Sequence, residues 1–181
     1  MNGNSIRMQN LEMLRYHAAV KKMAYLSLGS NQGDRRANLE TAFQHLRELG
    51  ELAAVSSFYE TEPVVVTRQE WFLNCAAALE TELMPRQLLA RILAIEKAMG
   101  RRRTKTKGPR NIDIDIVLFG NSVVDTATLV IPHPAMHERR FVLAPLAEIA
   151  PDARHPVLRR SVRELLDALP QGDAVVRRLN Q

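Results

Sequence analysis

The stretch "FLNCAAALETELMPRQLLARILAIEKAMGRRRTKTKGPRNIDIDIVLFG" (residues 72–120) decides how this chain folds. It opens with Leu73, Cys75, Ala77 and Leu79 alternating with Phe72, Asn74, Ala76 and Ala78, the two-residue period of a strand over 72–81. Pro85 suits the first turn of a helix. Leu88, Leu89, Ile92, Ile95 and Met99 then recur at helical spacing. The stretch closes on a strand over 111–119, where Ile112, Ile114, Ile116 and Leu118 alternate with Asp113, Asp115, Val117 and Phe119.

The residues before it repeat the pattern. "AYLSL" (24–28) reads as a strand and "GSNQGD" (29–34) as a turn-rich loop. Leu39, Phe43, Leu46 and Leu49 place a helix over roughly 35–49, and "AAVSSFYET" (53–61) reads as the next strand. The order β-α-β-β-α-β predicts an α+β, ferredoxin-like fold: an antiparallel sheet with both helices on one face. The opposite face needs a cover, and the C-terminal part supplies it in a three-layer αβα arrangement. Its expected pieces are a short strand near Val123–Val124, a helix around Glu138–Ile149 interrupted by Pro145, and a last helix from Ser161. "SVRE" (161–164) fits a capping box there. Residues 1–22 read as an appendage, helical or disordered, and 23–181 as a single domain.

With 181 residues, 46% of them hydrophobic, the chain can build a core without disulfides or structural metal. One cysteine, Cys75, allows no intrachain disulfide, and a reducing, cytoplasmic setting is the simple expectation. No apolar run of about 18 residues marks a membrane span, and no secretory signal pattern opens the chain. The net charge of +5 implies an anionic partner. Arg101, Arg102, Arg103, Lys105, Lys107 and Arg110 fall together in one long connection, 100–110; a second long connection spans 62–71. Connections of that length often serve as lids or binding loops.

Asp113 and Asp115 share one face of their strand, roughly 7 Å apart. Two carboxylates so close repel each other unless a cation intervenes, and hard oxygen ligands beside phosphates favour Mg²⁺. Solvated acids on a polar edge are the plainer alternative. The neighbouring "GPR" and the basic loop favour a phosphate ligand held by metal and arginine. A nucleic-acid backbone would use the same basic run, yet the adjacent acids would repel it. In "IPHPAMHERRF" (131–141), His133 and His137 have metal-ligand spacing, but Pro134 keeps the first outside a helix. His133, Arg139 and Arg140 serve better as phosphate donors. Glu96 lies beside the apolar stripe of its helix. Phe72 and Phe141 can grip a flat ring, and Asn74 can bond a heterocycle edge.

Together these motifs resemble the 6-hydroxymethyl-7,8-dihydropterin pyrophosphokinases, enzymes of folate biosynthesis. The matching pieces are "AYLSLGSNQGD", "VSSFYETEPV", "FLNCAAALET", "IEKAMGRRR", "GPRNIDIDIVLFG" and "IPHPAMHERRFVLAPLAEIAPD", spanning roughly residues 24–152. The resemblance implies transfer of the terminal diphosphate of ATP to the pterin hydroxymethyl group, with release of AMP. It implies two Mg²⁺ ions on Asp113 and Asp115. Arg101, Arg103, Arg110, His133 and Arg139 match phosphate-contacting positions, and Glu96 an acid lining the substrate sites. Phe72 and Phe141 match a pair sandwiching the pterin ring, with Asn74 and Thr61 on its edge and Asp113 nearby. The expected partners are these small molecules, with no nucleic acid or membrane and a monomeric chain. Phe72 stands where some relatives carry tyrosine, and Lys107 where some carry tryptophan. Val65 and Val66 make the 62–71 connection stiffer than a glycine-bearing one. A ferredoxin-like RNA binder is the rival class, but the glycine-aromatic stacking signature of such proteins is missing. A catalytically silent relative is a third reading, opposed by the intact "DID" and "GPR".

Overall fold

The computed structural model describes residues 20–62, 70–101, 108–170 and 176–179. Strand β1 (Lys22–Ser30) is an interior strand of the sheet. Helix α1 (Arg35–Arg47) follows, its first turn capped by Asp34, whose Oδ1 accepts from Ala37 N–H at 3.0 Å. Strands β2 (Glu51–Val55), β3 (Tyr59–Thr61) and β4 (Phe72–Thr81) lead to helix α2 (Pro85–Ala98), with Pro85 at its first position. Gly100, at φ 85°, ends α2 in the left-handed conformation that favours glycine. Strand β5 (Asp113–Phe119) completes the ferredoxin-like core.

All pairings are antiparallel. The sheet runs β5-β1-β4-β3-β8, with β2 also on β4. Leu39, Phe43 and Leu46 of α1 and Leu88, Ile92 and Ile95 of α2 pack with Leu26, Leu28, Cys75, Ala77 and Leu79 on one face. The other face packs Ala76, Val117 and Leu118 beneath the C-terminal helices α3 (Arg140–Ile149) and α4 (Val162–Asp167). The three-layer expectation holds. A small hairpin, β6 (Val124–Asp125) with β7 (Val130–Ile131), and a 3₁₀ turn (Met136–Glu138) lead into α3. The Ser161–Glu164 capping box forms as expected.

Four details depart from the sequence expectations. The strand over 53–61 is two strands, because Ser56, Ser57 and Phe58 are all buried and cannot alternate. Ser56 carries the ladder across the break: its N–H donates to Ala76 O and its Oγ accepts from Ala76 N–H, both at 2.9 Å. In β5 the alternation fails at a bulge. Tyr25 pairs with Leu118 but Leu26 with Ile116, so Val117 is extra and Phe119 joins the Ile114 face rather than the Asp113 face. Helix α3 runs through Pro145; the chain breaks instead at Arg139, whose backbone is extended at φ −115° and ψ 103°. Strand β8 (Val176–Arg178), unforeseen, pairs with β3. The calls on 1–19, on 63–69 with Val65 and Val66, and on 102–107 with Arg103 and Lys107 lie outside the described residues.

Gly50 tests the packing of the turn between α1 and β2. A Cβ there would stand 2.2 Å from the Glu80 carbonyl oxygen, which is backbone and cannot swing aside. Gly50→Ala is expected to cost about 2 kcal/mol or more, the scale of overpacking. Urea denaturation should show a lower midpoint at unchanged slope.

Candidate active site

The sheet register assembles the site. Gly29 of β1 pairs with Asp113 on one side and Asn74 on the other, and Asn74 pairs with Tyr59. Ser27 likewise pairs with Asp115 and Ala76. Cross-strand partners share a face. Asp113, Asp115, Asn74 and Phe72 with Thr61 therefore all stand on the face that α3 covers, away from α1 and α2. Gly29 is required at the crossing: a Cβ there would lie 2.7 Å from Asn74 Oδ1. Asn74 is buried, and its Nδ2 donates to Thr61 Oγ1 at 2.6 Å, which fixes its carboxamide.

A buried carboxylate joins α2 to β5. Glu96 is only 2% exposed, and its Oε1 accepts from Ile114 N–H at 2.8 Å and from Arg101 Nη1. Burial pushes its carboxyl up, while Ile114 N–H and Arg101 pull the other way. Arg101 Nη1 also lies 2.6 Å from Asp113 Oδ1, and Arg110 Nη1 2.6 Å from Asp113 Oδ2. The guanidinium of Arg110 sits 5.7 Å from the Phe72 ring centroid, and its Nε is buried with no hydrogen-bond partner. An orphaned guanidinium donor beside an aromatic ring suits an anionic ligand. The backbone of Arg110 is clamped by Asn31, whose Oδ1 accepts from Arg110 N–H at 2.8 Å and whose N–H donates to Arg110 O at 3.1 Å.

A second group gathers around Asp115. Burial first, then the Asp113 charge, push its carboxyl above the usual aspartate range; His133, Arg139 and Arg101 oppose this. His133 Nδ1 accepts from Ala135 N–H at 3.2 Å, which places the proton of the neutral ring on Nε2. Burial lowers its pKa, so it is a neutral donor at physiological pH. The backbone N–H of His133 donates to Val117 O at 2.9 Å, at the bulge in β5. Arg139 lies 5.7 Å from the ring centroid of Phe141, which is partly buried against the second core.

The structure thus brings together Glu96, Arg101, Arg110 and Asp113 by direct bonds, and Thr61 with Asn74. Asp115, His133 and Arg139 are neighbours by electrostatics. Arg140 lies apart, its Nη2 donating to Leu169 O and Pro170 O at 3.2 Å. His137 stands edge-on to His155, 6.3 Å between centroids. Sequence reading passed over Gly29 and Asn31. Both sit in "GSNQGD", where a glycine and a buried asparagine look like ordinary turn residues. Among the described residues, no helix is long and apolar enough to cross a membrane.

Fold and site define a class: a ferredoxin-like α+β domain with two carboxylates, arginines, an aromatic side chain and a fixed carboxamide on the face opposite its first two helices. The family model for 7,8-dihydro-6-hydroxymethylpterin-pyrophosphokinase (HPPK) matches residues 25–151, and the chain belongs to that family. It is 50% identical over 131 residues to the 2-amino-4-hydroxy-6-hydroxymethyldihydropteridine pyrophosphokinase of Methylorubrum extorquens, covering 71% of this chain and 83% of that one. It is 42% identical over 158 residues to the folic acid synthesis protein fol1 of Schizosaccharomyces pombe, covering 86% of this chain but 22% of fol1. The chain therefore spans about a fifth of the fol1 length. A crystal structure of Plasmodium falciparum HPPK-DHPS superposes with a TM-score of 0.67 at 19% identity, over 83% of this chain and 46% of that one, which supports the fold.

Glu96 is the joint to test. Glu96→Ala removes one of the two carboxylate partners of Arg101 and leaves Ile114 N–H unsatisfied, and should cost about 1–3 kcal/mol. Glu96→Gln keeps an oxygen for Ile114 N–H and should cost clearly less. Paired denaturation curves check the order of the two losses.

Proposed function

We propose that this domain transfers the terminal diphosphate of ATP to the hydroxymethyl group of 6-hydroxymethyl-7,8-dihydropterin and releases AMP. One observation carries it: a single sheet face holds two carboxylates, converging arginines and Phe72 paired with Thr61 beside the Thr61–Asn74 bond. Family membership points the same way.

The pterin hydroxyl oxygen attacks the β-phosphorus of ATP. A bond forms between them, the bond from β-phosphorus to the oxygen bridging the α-phosphate breaks, AMP leaves with that oxygen, and the hydroxyl proton passes to solvent. Phe72 and Phe141 hold the ring between them. Asn74 spends Nδ2 on Thr61 and keeps Oδ1 to accept from the ring's N–H groups. Arg101, Arg103, Arg110, Arg139 and the Nε2–H of His133 bind phosphate oxygens, and Glu96 aims Arg101. Arg101 and Arg110 are paired with Asp113 in this structure. Phosphates would draw both guanidinium groups away and leave Asp113 free to join Asp115. The donor set then fits hard divalent cations: two aspartate carboxylates on one face, one of them pushed up in pKa by burial and by the other. Two Mg²⁺ ions held by Asp113 and Asp115 would neutralise charge on the ATP phosphates. Catalysis on this account is positioning and charge stabilisation, with no general base assigned.

The direct test is AMP release from MgATP with and without the reduced hydroxymethylpterin; AMP formation indifferent to pterin would sink the proposal. Asp115→Asn should abolish turnover. Because the folded, metal-free state penalises the Asp115 charge, the same variant should melt at a higher temperature than the parent at neutral pH.

The sign of the pH effect follows. Asp115 holds its proton above the usual aspartate range, so a cation must displace it. Apparent Mg²⁺ affinity is complete above that raised pKa and falls by up to about tenfold per pH unit below it. Calorimetric titration with MgATP analogue over descending pH checks this; a flat affinity contradicts it.

A further inference from the structure

A second polar cluster lies on the same sheet face, beyond the site and at the far end of α3. Its hub is Glu148 in the last turn of α3. Oε1 of Glu148 accepts from Ser57 N–H at 3.1 Å and from the Ser57 hydroxyl at 2.8 Å. Oε2 accepts from the Tyr59 hydroxyl at 2.8 Å. Arg178 of β8 closes the cluster: Nη2 donates to Glu148 Oε1 at 3.2 Å, and Nε and Nη2 donate to Ser57 Oγ at 3.1 and 2.9 Å. One carboxylate thus collects donors from the β2–β3 connection, β3 and β8.

The place of the cluster matters more than its strength. Phe141 and Glu148 are seven residues apart on one helix, so they lie on one stripe, about 10 Å apart along the axis. Tyr59 pairs directly with Asn74 and is two residues from Thr61. The contact therefore links the helix carrying Phe141 to the strands carrying Asn74 and Thr61. The rest of α3 meets the sheet through Val142, Leu143 and Leu146 against Ala76, Val117 and Leu118. Apolar contacts hold two layers together but have no direction. Hydrogen bonds to a fixed carboxylate do, and they set the rotation and axial height of the helix. Burial and the bond to Glu148 push the Tyr59 hydroxyl up to about 12, so it stays protonated and donating across the working pH range.

We propose that Glu148 is a positioning residue for pterin binding: through Ser57 and Tyr59 it fixes α3 so that Phe141 stands at the right distance from the Asn74–Thr61 edge. This rests on the reading of Phe141, Phe72, Asn74 and Thr61 as the pterin pocket. It bears mainly on the pterin, because the nucleotide groups Glu96, Arg101, Arg110 and Asp113 are held by α2 and β5, and of the proposed phosphate donors only His133 and Arg139 lie in the segment that leads into α3.

The test is calorimetric binding on the full chain, below the melting temperature of every variant. The probes are 6-hydroxymethylpterin, measured at saturating magnesium and α,β-methylene-ATP, and that nucleotide alone. Glu148→Ala should weaken pterin about tenfold or more, the scale of a misplacement of about 1 Å. Its nucleotide affinity should fall clearly less than its pterin affinity, because most of the proposed phosphate groups are held by α2 and β5. Glu148→Gln, which keeps an oxygen for Ser57, should recover most of the pterin affinity. Unchanged pterin binding in Glu148→Ala, or equal weakening of both ligands, overturns the inference. Phe72→Ala is the control on the pocket itself. If it binds pterin normally, the pocket is misassigned and the inference falls with it; if it loses pterin, the result for Glu148→Ala decides the inference alone.

Discussion

The antiparallel register of β5, β1 and β4 is the constraint on which everything else rests. It sets Asp113, Gly29, Asn74 and Tyr59 in one row, and Asp115, Ser27 and Ala76 in the next. A slip of one residue would turn both aspartates and Asn74 into the apolar layer beneath α1 and α2. That slip is blocked because the alternate positions Ile114, Ile116, Leu26, Leu28, Cys75 and Ala77 already fill that layer. The hydrophobic effect therefore aims the polar site, although no polar contact is needed to do so. The bulge at Val117 comes only after Asp115, so it spares the two acids. It also leaves the Val117 carbonyl for His133 N–H.

The site holds its charges at a cost, and the structure shows how the cost is met. Glu96 is buried, so Arg101 and a backbone N–H are spent on it. Asp113 is flanked by two guanidinium groups. Asp115 has no such neighbour at bonding distance among the described residues; burial first, then the Asp113 charge, raise its carboxyl. A buried aspartate held above its ordinary range beside a second carboxylate is the kind of environment found where charged ligands bind.

Much of this is legible in the chain before any coordinates. The periods of two and 3.6 place the core elements, and the paired aspartates, basic run and "PHP" segment place the chemistry. What escapes sequence reading does so for physical reasons. The break at Ser56–Phe58 depends on a serine hydroxyl replacing a ladder acceptor, which composition cannot reveal. Phe119 changes face because of a bulge that only pairing with β1 defines. The pairing of Arg101 and Arg110 with Asp113 is a choice among partners, settled by geometry. Gly29 matters because Asn74, 45 positions later, needs its space. Glu148 meets Ser57 across 91 positions. Strand β8 has three residues, and its one signal is the Val175–Val176 pair.

The C-terminal third deserves a different description from the cover that the sequence suggests. In a ferredoxin-like core the helices take one face, and here that face is filled with aliphatic and aromatic side chains. The paired aspartates stand on the other face, and an uncovered antiparallel sheet there would present Ala76, Val117 and Leu118 to water. The segment that buries those residues also brings His133 and Arg139 into the field of Asp115 and sets Phe141 beside Arg139, within nine residues of sequence. The second core layer and three of the candidate site residues are thus carried by one segment. Loss of α3 packing would disturb all three candidates at once, whereas disturbance of α1 would leave their immediate surroundings in place. The short span "PHPAMHERRF" carries these three candidates where the third layer enters the fold.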